Sequence, residues 1–401
     1  MAPENLPVTV SSSSDVESNE QNLDSQMNRG FDRRSLLKGL GVVGAAVSAG
    51  SLLTPMAEAS RGGGLSHGDA AILRWLAAAE IIESDIWLQY TELAGTQDNE
   101  VALIASQQIP GYPAQATGGN PDYTNAVLAL DGDMDQYIHD NTEDELTHET
   151  FINAYLVSKG ASPVNLDQFR NLPSSKATGA NQIGRITDLT KLQVDTTWWT
   201  RYRSRTGNPD LGDKFAPAIP SLVVGTHPGI PRTDDDLKDS NFLQAIGFTA
   251  GFHFANIEVG GSSMYPSLAQ RVTNTEVLRI LLSIGGTEIS HFQTWQDKAG
   301  NATPLTAVDP VTGFSVTFFD LTNPAVGEDL QGNLIMPEPT AFLNRELPVC
   351  SIIRPTASKG AATNALQGFV NMNIFVGQSN EFFQFVTHLA AEADNARRGI
   401  S

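Results

Sequence analysis

Residues 68–94 read GDAAILRWLAAAEIIESDIWLQYTELA, with Ala, Leu, Ile and Trp recurring on every side and neither Pro nor internal Gly to interrupt them. That pattern predicts a long helix stopped at Gly95. A second helix is predicted from about Met134 to Ser158, ended by Gly160 and followed by Pro163. Residues 240–269 begin SNFLQAIGFTAGFHFANIEVGGSSMY and predict a third, whose glycines lower helix propensity but permit close packing. A fourth is predicted over residues 273–298, with Thr273 or Asn274 as N-cap and Gly300 as the stop. A last helix, about residues 379–397, carries FFQF on one side.

Between these segments the periodicity fails. Residues 95–132 contain IPGYP and ATGGNP and read as loop, 161–239 as a long punctuated crossover, and 301–362 as Pro-broken chain with one strand-like stretch, FSVTFF at 314–319. The fold class predicted is all-α: four long helices in two antiparallel pairs, a long crossover, loop insertions and an extra C-terminal helix. The divisions are a leader at 1–59, a helical body at 60–300, and a loop, strand and helix region at 301–401.

Composition narrows the chemistry. A formal charge of −20 over 401 residues argues against nucleic acid and anionic membrane surfaces as partners. The single cysteine, Cys350, excludes an intrachain disulfide and any thiolate cluster, so a metal here is held by oxygen and nitrogen. Near the N-terminus, Arg33 and Arg34 lead into Ser35, Leu36, Leu37 and Lys38, which look like a twin-arginine export signal. The apolar stretch 39–53 is too short for a comfortable membrane span, and Ala57-Glu58-Ala59 offers a cleavage site before Ser60. Export to the periplasm or the exterior follows. GLGVVGA at 39–45 matches a dinucleotide fingerprint, but it follows a basic pair rather than a strand, so it carries no weight.

Two histidines have Glu three positions earlier: Glu145 with His148 on the second predicted helix, and Glu288 with His291 on the fourth. Positions i and i+3 share a helix face, so each pair can offer one nitrogen and one oxygen to a metal ion, leaving a second carboxylate oxygen to bridge. The third helix supplies Glu258 and the first supplies Glu80 or Glu83. Glu258 has Tyr265 seven residues on, and Glu80 has Trp87 at the same offset, which favours Glu80; Glu83, with Tyr90 at that offset, stays open. Two divalent cations would neutralise four carboxylates, which otherwise repel one another in a dry interior. Such ligands suit Fe, Mn or Zn.

One Glu from each of two helices, with Glu-x-x-His from the other two, resembles the ferritin-like superfamily. AAAEIIESDIW and EDELTHETFINAYL are similar to its exported branch of desiccation-related and stress-response proteins. The resemblance covers roughly residues 68–160 and 240–298. It implies two metal ions, Fe in preference to Mn, on Glu80, Glu145, His148, Glu258, Glu288 and His291, with O2 or peroxide as the reaction partner. The Arg33-Arg34 signal implies the twin-arginine machinery as a partner, and a homo-oligomer is allowed. Two other readings compete: a stress-protective protein with no functional metal, and a manganese catalase-like peroxide dismutase. Glu143 and Glu149 read as solvated, Glu149 with the option of an outer neighbour to the site. His253 reads as a core or surface histidine, Trp198-Trp199 as packing for the crossover, and Cys350 as a small buried hydrophobe.

Overall fold

A computed structural model describes residues 64–201, 214–323, 337–338, 350–351 and 359–396. The export signal predicted at 1–59 therefore lies outside the described residues, as does the side chain of Cys350. The chain is mainly helical. Four long helices, α1 (His67–Ala94), α4 (Met134–Ser158), α6 (Ser240–Ala269) and α7 (Thr275–Ala299), fall where the hydrophobic pattern places them. Ser66 caps α1 by accepting from Asp69 N, and Asn274 caps α7 by accepting from Glu276 N and Val277 N. Among the described residues no helix is long and apolar enough to cross a membrane.

The helices are strung antiparallel by named contacts. Thr142 Oγ1 donates to the Trp87 carbonyl, while further along Thr96 N donates to the Asp135 carbonyl, which orders α1 against α4. Ser262 Oγ donates to the Glu288 carbonyl and the Gly285 backbone lies against Tyr265, which orders α6 against α7. Backbones approach closely within these two pairs. Between the pairs, contact is carried mainly by long side chains, such as Trp75 on Met264 and Tyr155 on Glu276. That spacing leaves room for chemistry in the middle. Because α4 and α6 lie on opposite corners and run the same way, the chain must travel the length of the helices between them, about 37 Å for a helix of this size. The crossover is long for that reason.

Residues 95–132, expected to be loop, hold two short helices: α2 (Glu100–Gln108) and α3 (Pro121–Leu128). Pro121 occupies the first turn of α3 and Asn120 caps it, so the proline that signals a break here marks a helix start. Neither helix has strong periodicity of its own; α2 is held by Val101, Ala102 and Ala105 against Leu88 and Leu146. In the crossover, α5 (Thr197–Arg201) packs Trp198 on Phe292 and both tryptophans on Phe252, the packing role expected of them. Asp85 on α1 anchors the same segment. It accepts from Ile186 N and Thr187 N at 3.0 and 2.8 Å and pairs with Arg170 at 2.7 Å.

The strand-like stretch forms β2 (Ser315–Phe318), antiparallel to β1 (Leu305–Val308), with Leu305 opposite Phe318. Phe318 stacks on Phe252 of α6. After it come α8 (Ala361–Asn371), which is not among the predicted helices, and α9 (Asn380–Asn395), which packs along α1.

Candidate metal centre

The six residues singled out from the sequence converge between the two helix pairs. Glu80, Glu145, His148 and Glu288 form one group of donor atoms within 4.8 Å of one another, and Glu145, Glu258, Glu288 and His291 form a second. Glu145 and Glu288 belong to both. They are the carboxylates of the two Glu-x-x-His motifs. All four glutamates are 0% exposed. Glu83 belongs to neither group, so the first helix contributes Glu80, as the offset to Trp87 favours.

Atomic spacing tests whether a cation fits. His148 Nδ1 lies 3.5, 3.2 and 3.3 Å from Glu80 Oε2, Glu145 Oε2 and Glu288 Oε1. His291 Nδ1 lies 3.2 and 3.3 Å from Glu145 Oε1 and Glu258 Oε2. One ring N–H cannot serve three acceptors. With metal–ligand bonds of about 2.1 Å, neighbouring ligands on one ion stand about 3.0–3.4 Å apart, which is close to this spacing. Among the described residues, Glu80 Oε2, Glu258 Oε2, both carboxylate oxygens of Glu288 and His291 Nδ1 also lack any hydrogen-bond partner. Buried polar atoms are seldom left so unless something else satisfies them. The donor set fits metal ions.

The electrostatics agree. Burial pushes Glu80 up to about 7 against the opposing pull of His148. Burial likewise raises Glu288 and Glu258, with the charge of Glu145 adding to it. Burial works against Glu145 too, but His148 and His291 outweigh it and hold that carboxyl below the usual range. Both imidazoles are raised because the surrounding carboxylates overcome the cost of burying their charge. Without cations the cluster balances its charge with protons on these atoms.

The outer oxygens are fixed by a pattern the sequence only hinted at. Trp87 Nε1 donates to Glu258 Oε1 at 2.9 Å, and Tyr265 OH donates to Glu80 Oε1. Each aromatic residue sits seven positions after one glutamate and serves the other helix's glutamate. Antiparallel helices explain this, since seven residues advance about 10.5 Å along each axis and bring the partner's carboxylate level. Three contributors have no motif of their own. Asn141 Nδ2 donates to Glu145 Oε1 and Glu258 Oε1 at 3.0 and 3.2 Å, and Trp295 Nε1 donates to Asn141 Oδ1 at 2.7 Å. Asp144 Oδ2 lies 3.0 Å from His291 Nε2. Asn141 stands one turn before Glu145 and Trp295 one turn after His291, so helical spacing from the ligands was the signal available.

Gly261 shows how tightly the centre is closed. A Cβ built there would stand 2.2 Å from Glu288 Oε2, whereas at Gly260 it would meet nothing within 4 Å. Glu149, read as solvated, is buried, and burial pushes its carboxyl up to about 8 against the pull of Arg170. His253 is a core histidine, with Nδ1 2.7 Å from Tyr90 OH. A further group, Asp98, Glu100 and His139, has exposed carboxylates, and both His139 nitrogens already face Asp98 and Asp140.

No protein-family model, curated protein or solved structure matches this chain.

Proposed function

We propose that the chain is an exported, ferritin-like protein whose four long helices hold two Fe or Mn ions, and that its activity is a redox reaction of that centre with O2 or peroxide. The observation that carries this reading is the pair of buried donor groups sharing Glu145 and Glu288. Two groups with two members in common are what two adjacent ions require, and the all-oxygen-and-nitrogen donor set suits metals that change oxidation state. When bound, such a pair of ions supplies two electrons at one place.

The protein's own residues prepare that place. Tyr265 and Trp87 hold the outer oxygens of Glu80 and Glu258 by donating to them, so those two keep their inner oxygens turned to the centre, and Asn141 donates to both Glu258 and Glu145 and steadies their carboxylates. Asp144 faces Nε2 of His291 and favours the proton there, which leaves Nδ1 as the donor atom turned inward. Trp87, Trp295 and Phe254 form an aromatic wall with ring centroids 4.7–5.3 Å apart and keep water from that side. Solvent lies nearest the histidine edge, where Asp144 is 50% exposed. Protons gained or lost at His291 thus have a short way out. Export rests on Arg33-Arg34 and the Ala57-Glu58-Ala59 site.

Elemental analysis of the protein purified after export tests the centre. About two Fe or Mn per chain are expected, lost in the Glu145→Ala/Glu288→Ala double variant. Absence of metal from both proteins would leave a structural or protective role instead. Adding peroxide to the loaded protein then separates the chemistries: O2 evolution marks a dismutase, oxidation of Fe(II) or an organic substrate at the expense of peroxide marks a peroxidase, and the same oxidation with O2 alone marks an oxidase.

A further inference from the structure

A cavity of about 210 Å³ lies beside the centre, between α6, α8 and the crossover. Its mouth carries Asn364, Asn371 and Asp195, all exposed, and its walls include Trp198, Ile257 and Phe369. The lining also includes Glu83, which is 2% exposed and one turn from the ligand Glu80. Among the described residues, Glu83 Oε1 has no hydrogen-bond partner. A buried carboxyl oxygen left without a partner, on a mostly apolar cavity, is a hydrogen-bonding group awaiting a ligand.

We propose that this cavity binds a small uncharged molecule with an apolar body and one hydroxyl or carbonyl group, which Glu83 holds next to the metal centre. Charge selects the class. An anion would meet Arg201 on the lining, but also Glu83 and Asp195, with the acidic groups of the centre behind Glu83, so the charge balance is against it. A cation would meet Arg201 and give up its hydration against mostly apolar walls. An uncharged molecule avoids both costs, and its apolar body matches the walls formed by Ile257, Met264 and Phe369. Gly260 lines the same cavity, and open space where its side chain would stand keeps the cavity's volume available. Glu83 is a positioning residue. That the bound molecule is the substrate of the centre rests on the dinuclear reading; that it binds does not.

The test is a fluorine NMR titration of the whole protein with 4-fluorophenol, fluorobenzene and 4-fluorobenzoate, with metal content measured in each sample. Saturable binding of 4-fluorophenol is expected, roughly tenfold tighter than fluorobenzene, equivalent to about 1.4 kcal/mol, with 4-fluorobenzoate excluded. Glu83→Leu should erase the preference for the phenol, and Glu83→Gln should retain part of it. Gly260→Leu should abolish binding of both neutral probes while leaving metal content unchanged and the thermal melt no lower. Failure of 4-fluorophenol to bind, binding that survives Gly260→Leu, or equal binding of the benzoate would each overturn the proposal. A wild-type protein that binds the phenol but holds no metal would sink the dinuclear reading and leave the cavity's ligand standing.

Discussion

His253 is the residue whose titration is easiest to follow apart from the centre. Burial holds its imidazole neutral and pushes its pKa down to about 3, while an unfolded histidine titrates near 6.5. Between those values the unfolded chain binds a proton that the folded chain does not. This contribution to stability is therefore complete above pH 6.5 and falls as pH drops, by up to about 1.4 kcal/mol per pH unit. Thermal melts from pH 7 to pH 4 should show that slope, and His253→Gln should flatten it. An unchanged slope in the variant would assign it to other groups. Two neighbouring glycines give a second test at this scale. Gly261→Ala should lower metal content by displacing Glu288, whereas Gly260→Ala should keep it and gain up to about 1 kcal/mol in helix propensity. Equal metal content in the two variants would mean that Glu288 can move aside without loss.

Among the elements, the crossover is held in part by polar anchors. Asp85 is wholly buried on α1, receives two backbone N–H groups and pairs with Arg170. Asp85→Ala would leave those donors and the guanidinium without their acceptor, at a cost of about 3–5 kcal/mol. A urea melt should register that loss, and limited proteolysis should find residues 161–201 cut sooner. A variant as stable as the wild type would place the anchoring elsewhere, for instance in the Glu92–Arg185 pair. This scale also marks where sequence was legible and where it was not. The four long helices and the Glu-x-x-His pairs follow from spacing that a single chain displays. Helices α2 and α3 do not, because they are short and depend on faces supplied by other elements; α8 carries an apolar face of Ala362, Leu366 and Phe369 that spacing could have found. Pro121 in particular is ambiguous in sequence, since a proline both ends helices and begins them. Asn141, Asp144 and Trp295 were missed for a related reason: their value lies in what stands across the gap.

For the molecule as a whole, metal and fold should be one system. Donor atoms from all four long helices meet at the centre, so ions that bind there bind the assembled state alone. Free ion at a thousand times its dissociation constant would stabilise the fold by about 4 kcal/mol per site. Removing metal with a chelator should therefore lower the melting temperature, and restoring Fe(II) or Mn(II) should recover it. The Glu145→Ala/Glu288→Ala protein should show no such response. A chelator-insensitive melt in the wild type would mean that the helices hold together without any contribution from the site.

The exchange of aromatic partners between α1 and α6 has a consequence for how the chain could be divided. Trp87 serves Glu258 and Tyr265 serves Glu80, while Glu145 and Glu288 each join both donor groups. Neither half owns a finished site. Two fragments parted within the crossover would each be inert, and a mixture of them would regain metal only by complementation, each half lending the other what it lacks.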